Sequence, residues 1–74
     1  MEILHEDNST TGKFYTNNHL AHIEYTHHKD NIISIDHTEV DKSLSGQGIG
    51  KILVISVVEW ARANNLKIIP LCPY

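Results

Sequence analysis

Residues 32–65 read IISIDHTEVDKSLSGQGIGKILVISVVEWARANN, and inside this stretch the spacing of apolar residues changes from strand-like alternation to helical recurrence. From Ile32 to Val40, alternation sets Ile33, Ile35 and His37 on one face and Ile32, Ser34, Asp36 and Thr38 on the other. The DKSLSGQG segment from Asp41 to Gly48 breaks that alternation. From Gly48 to Asn65, Ile49, Ile52, Leu53, Ser56, Val57, Trp60 and Ala61 recur three and four residues apart, which predicts a helix with these residues on its inner face. Val54, Ile55 and Val58 widen the apolar surface, so a sheet or neighbour should cover much of it. Its β-branched residues each cost only a few tenths of a kcal/mol of helix propensity, which burial outweighs.

Reading outward from this unit, LKIIPL from Leu66 to Leu71 predicts a final buried strand. Pro70 lacks an N–H and therefore suits an edge, a bulge or a strand end. Strand, helix and strand in this order form a βαβ crossover, which sets the glycine loop between the end of a strand and the start of a helix. Upstream, LAHIEYTH from Leu20 to His27 alternates, with Ala21, Ile23 and Tyr25 on one face and His22, Glu24 and Thr26 on the other. The short polar turn from His28 to Asn31 joins it to the Ile32–Val40 strand as an antiparallel hairpin. Glu2 to Leu4 reads as a short strand, His5 to Gly12 as a polar loop, and Phe14 and Tyr15 as a further apolar patch. The expected architecture is α/β and occupies residues 1–74 as a single domain: an antiparallel strand pair, a glycine-rich loop, a central helix and a following strand.

Composition narrows the function. A chain of 74 residues has room for one core, and its single cysteine, Cys72, excludes an internal disulfide as a staple. Six Lys and Arg against nine Asp and Glu give a formal charge of −3, and the cations are scattered. Nucleic acid is therefore not the expected partner, since phosphate backbones are bound by clustered cations. No segment approaches the about 20 apolar residues of a membrane span, and the acidic start MEILHEDNST is unlike a signal peptide. The expected setting is cytoplasmic, with no membrane association and a metabolite or protein as partner.

The SGQGIGK loop carries the chemistry. A helix start presents N–H groups without intrahelical partners and the positive end of the helix dipole, which together suit a pyrophosphate. Gly46, Gly48 and Gly50 clear space for a close approach, and Gln47 and Lys51 add donors. Two better-known loops are excluded by spacing. A Walker A loop needs Ser or Thr after Gly-Lys, where Ile52 stands, and its first glycine falls on Ser45; a dinucleotide loop needs its third glycine where Lys51 stands. Coenzyme A satisfies the phosphate-binding geometry without either motif.

At this point the chain resembles the small single-domain members of the GNAT superfamily described as YjdJ-type acetyltransferases. The resemblance rests on LAHIEY from Leu20, IDHTEV from Ile35, SLSGQGIGKILV from Ser43 and EWARANNLKIIPLC from Glu59, in the family's order and over most of the chain. It implies an N-acetyltransferase that uses acetyl-CoA as co-substrate and acts on a small-molecule or protein primary amine. It also implies that backbone groups from Gly46 through Gln47, Gly48, Ile49 and Gly50 to Lys51 bind the pyrophosphate, while the strand end at Thr38, Glu39 and Val40 pairs with the pantetheine arm. Ser45 stands where the family usually has Arg or Gln; it still donates a hydrogen bond but lacks Arg's charge and reach. Members of the family continue into a further helix and closing element, so the resemblance implies missing C-terminal elements after Tyr74 and leaves homodimerisation as a means of covering an exposed edge.

The resemblance further implies His37 and Cys72 as functional side chains. His37 is a proton acceptor for an ammonium substrate or a structural hydrogen-bonding residue at the strand end. Cys72 is a nucleophile or a buried structural thiol beside Pro70 and Pro73, and direct transfer to an amine requires no protein nucleophile. Glu39 is a second base, a substrate contact or a solvated carboxylate. The six histidines contain no HExxH and no close helical ligand spacing, so no metal is expected. The alternative to an acetyltransferase is a CoA-binding or protein-interaction domain without efficient turnover.

Overall fold

The computed structural model describes residues 2–71. Five strands, β1 (Ile3–Asp7), β2 (Thr11–Thr16), β3 (Ala21–His28), β4 (Ile32–Val40) and β5 (Lys67–Pro70), form one sheet in sequence order, and the helix α1 (Ile49–Ala63) joins β4 to β5. The first three pairings are antiparallel and β4–β5 is parallel, as the βαβ reading requires. A 3-10 turn at Lys42–Leu44 leads from β4 toward α1.

Helix and sheet bury one shared core. Leu53, Val57 and Ala61 of α1 are buried with Ile23 and Tyr25 of β3 and Ile33 and Ile35 of β4. A fully buried aliphatic side chain of this kind contributes about 1.5–3 kcal/mol. The inner face of α1 is narrower than the periodicity predicts: Ile49, Gly50, Leu53, Val57 and Ala61 are buried, whereas Ile52 and Ile55 remain 44% and 45% exposed. A helix lying on a single sheet face has only one covered side, which accounts for the difference. β5 likewise departs from the expected buried strand. Among the described residues it pairs with β4 alone, half-buries Ile68 toward the core, and leaves Ile69 and Leu71 exposed. Pro70 occupies the strand end that its missing N–H suits.

The N-terminal segment also differs from the expected loop. His5–Asp7 and Thr11–Thr16 form a hairpin closed by Asn8–Thr10, with the Asn8 carboxamide oxygen accepting from the Thr10 and Thr11 N–H groups and Asp7 from Ser9. Alternation is hard to see there because the inward positions are His5, Asp7, Gly12, Phe14 and Thr16 rather than aliphatics. His5 stacks on Phe14 at 3.9 Å between centroids and meets Trp60 edge-on at 4.9 Å. The Tyr25 hydroxyl donates to Asp7 Oδ2 and accepts from His5 Nε2. Gly12 is required by this packing, since a Cβ there would lie 2.2 Å from the Tyr25 hydroxyl.

Strict alternation in β4 fails at Asp36. Pairing steps from Tyr25 opposite Ile35 to Glu24 opposite His37, leaving Asp36 as an extra residue in a β-bulge. Its carboxylate accepts from Thr26 and Ser34 on the face away from α1. His37 consequently shares the outer face with His22, Glu24 and Glu39, and its expected position beside Ile33 and Ile35 is corrected. One inserted residue reverses the facing of every residue beyond it.

Candidate functional site

β4 has two different halves. β5 accompanies it only over Ile32–Ile35, with one further bond from the Leu71 N–H to the Ile35 carbonyl at 3.0 Å. Asp36–Val40 continue beyond the end of that ladder, paired to β3 on the other side. Beside Thr38–Val40, past the last described pairing with β5, a cleft of about 440 Å³ lies against the loop before α1.

The cleft brings together eight of the residues expected to hold a cofactor. Thr38, Glu39 and Val40 come from β4, and Ser45, Gly46, Gly48, Ile49 and Gly50 from the loop and first turn of α1. Gln47 and Lys51, expected as additional donors, are exposed and lie outside the lining. Asp41, Lys42 and Leu44 complete the wall and carried no signal in the sequence beyond their place between strand and glycines. Lys42 thus supplies a cation to the cleft that the motif reading had assigned to Lys51.

The loop geometry suits an anionic group. Gly48 is the N-cap of α1 in the left-handed region (φ 72°, ψ 18°), and no side chain caps the helix start. First-turn N–H groups without a capping side chain form an anion-binding end. Gly46 is also left-handed at φ 80°, and no atom lies within 4 Å of where a Cβ would stand on either glycine. Backbone conformation, rather than crowding within the loop, is therefore what demands glycine at 46 and 48. Gly50 has a different use, buried in the first helical turn.

On the outer face, His37 and Glu39 form a pair with Nε2 and Oε2 3.0 Å apart. Hydrogen bonding from His37, then the charges of His22 and His37, holds the Glu39 carboxyl below its ordinary pKa. An ionised carboxylate only accepts, so His37 Nε2 carries a proton toward Glu39, and in the neutral form of the ring Nδ1 keeps a lone pair. Glu39 thereby orients the imidazole, and the imidazole is the group suited to taking a proton. Both side chains are more than half exposed, which gives a substrate access. His22 faces His37 with ring centroids 5.8 Å apart, and its Nε2 is 3.7 Å from Glu24 Oε1. His22 and Glu24 were not singled out by motif because their neighbourhood with His37 is made across strands.

A second cleft, of about 420 Å³, has Glu6, Asp7, Glu24 and Asp36 as its acidic lining and Lys13 as its cation. Glu24 lies opposite His37 in the β3–β4 ladder, so this acidic cleft adjoins the His37–Glu39 pair. Cys72 lies outside the described residues.

A family model described as GCN5-related N-acetyl-transferase matches residues 12–74. The chain is similar to the solution structure of a GCN5-like protein from Staphylococcus aureus assigned as an N-acetyltransferase, with 50% identity and a TM-score of 0.73 over 97% of this chain and 71% of that one. It is also similar to the crystal structure of nourseothricin acetyltransferase, with a TM-score of 0.63 over 81% of this chain and 38% of the other. At 20% identity that second likeness is one of fold. No curated protein sequence matches.

Proposed function

The chain belongs to the GCN5-related N-acetyltransferase family, and on that footing we propose that it transfers an acetyl group from acetyl-CoA to a primary amine, as a small member of the YjdJ type. The observation that carries this reading is the cleft where β4 outruns β5, bounded by left-handed glycines and the uncapped start of α1. In it the N–H groups from Gly46 to Gly50 and the Lys42 ammonium would hold the pyrophosphate, and β4 from Thr38 to Val40 would run beside the pantetheine arm. Acetyl-CoA supplies an acetyl thioester at the β4 end of the cleft.

His37, held by Glu39, takes one proton from the ammonium and frees the nitrogen lone pair, which bonds to the carbonyl carbon. The carbon–sulfur bond then breaks, and the departing thiolate receives the second proton that the nitrogen loses, by way of solvent. No protein nucleophile is required, so Cys72 remains a candidate for either role. The acidic lining of Glu6, Glu24 and Asp36 beside His37 favours a cationic amine as acceptor. A cytoplasmic location is part of the proposal.

Isothermal calorimetry with acetyl-CoA on the purified chain tests the first half, and thiol release with a panel of primary amines tests the second. Saturable binding with amine-dependent release of CoA supports the transferase. Saturable binding without release with any amine favours a CoA-binding domain, and no binding by a folded chain rejects both.

A further inference from the structure

His22, Glu24 and His37 form a compact group on the sheet face away from α1, and we propose that they bind a divalent transition-metal ion of the Zn²⁺ class. One donor atom from each lies within 4.8 Å of the other two. The grouping follows from register: His22 and Glu24 stand two residues apart on β3, His37 lies opposite Glu24, and Glu39 lies opposite His22. Directly opposed residues of an antiparallel pair bring their Cβ atoms within about 4.5–5.5 Å, so the backbone assembles these donors without any loop. The Asp36 bulge completes the group, because unbroken alternation would turn His37 toward α1.

The donor set selects the ion. Two imidazoles and a carboxylate match the ligands of Zn²⁺ and its neighbours, whereas Mg²⁺ and Ca²⁺ call for oxygen donors. Ligands around a tetrahedral ion at about 2 Å sit about 3.3 Å from each other. Closing from 4.8 Å requires only side-chain rotation, and all three have room: their side chains are 30%, 51% and 54% exposed. Glu39 adds a supporting contact. Imidazole ligands commonly give their second N–H to a carboxylate that fixes the ring, and His37 already has that bond with Glu39. Lys13, opposite Glu24 on the β2 side, directs its ammonium to Glu6 and over the Tyr15 ring.

The test is a calorimetric titration of Zn²⁺ into the metal-free chain, compared with Mg²⁺ and followed in parallel by NMR of the imidazole rings. One-to-one Zn²⁺ binding is expected, with no Mg²⁺ binding, and with the His22 and His37 rings shifting to saturation. His22→Ala and His37→Ala should each weaken Zn²⁺ binding by more than about tenfold, since loss even of an outer carboxylate partner costs 10–100-fold in affinity. His28→Ala, which alters a histidine bonded to Ser34 on the same face, should leave it unchanged. Absence of saturable binding, saturation at other rings, or equal losses in all three variants would overturn the site. The titration uses no acetyl-CoA and reads metal binding alone; an ion held there would occupy the His37 lone pair that acetyl transfer uses, so Zn²⁺ should inhibit amine-dependent CoA release wherever both readings hold.

Discussion

The two halves of β4 share one backbone and do opposite work. Ile32–Ile35 lies between β3 and β5, and Ile33, Ser34 and Ile35 are buried; Asp36–Val40 carries His37 and Glu39 into solvent beside a cleft. The difference arises over one step of the chain, where the Asp36 bulge directly follows Ile35, the last described residue paired to β5. A strand fastened on both edges is stiff and dry, whereas its continuation, beyond the described pairing with β5, carries re-aimed side chains. Chemistry is thus held by a rigid element without being buried in it.

The sharpest way to break this comparison is Ile33→Ala. Ile33 has no exposure, so the change should cost about 3 kcal/mol in urea unfolding. A loss under about 1 kcal/mol would mean the first half does not anchor the fold. In the second half, His37→Ala should leave the unfolding midpoint in place and lower amine-dependent CoA release about 100-fold, the lower end of general-base contributions. Unchanged turnover would reassign the proton to Glu39 or water.

Gly48→Ala probes the wall that the second half faces. The positive φ costs an alanine about 1–2 kcal/mol, so stability should fall by that amount and acetyl-CoA affinity by about tenfold in calorimetry. Loss of stability with full affinity would separate the glycine's conformational role from ligand binding.

The smallest expected effect concerns a second carboxylate–histidine contact, that of Asp7 with His27. Burial alone would raise the Asp7 pKa, but hydrogen bonds from Tyr25, His27 and the Ser9 N–H outweigh it and bring it to about 2, from an ordinary 3.8. A carboxylate with a depressed folded pKa stabilises the fold above its unfolded value, and that contribution disappears as pH falls from about 4 toward 2. Because Asp7 is partly exposed, screening limits the effect to about 1 kcal/mol. Asp7→Asn should flatten stability against pH in that window; an unchanged profile would remove Asp7 from the cause.

The crossover from β4 through α1 to β5 was legible because its apolar periods are clean and its glycines interrupt them where backbone conformation requires. The β1–β2 hairpin was not, since its inward face carries His5, Asp7, Gly12 and Phe14, whose contacts depend on Tyr25 and Trp60 arriving from elsewhere in the chain. Likewise Gly46 to Gly50 marked the loop that lines the cleft, but Lys42 as the lining cation and Lys51 outside the lining depended on how the 3-10 turn enters the helix.

By itself the amino-acid order determined the strand–helix–strand unit and the glycine loop between its parts, while His37 entered as a candidate base through the family resemblance. Only the tertiary structure decided which way His37 points and what stands beside it, because a bulge is a mismatch between two strands and has no period within either one. For the same reason His22, Glu24, His37 and Glu39, separated by 2 to 17 positions along the chain, become neighbours only when β3 and β4 are set in register.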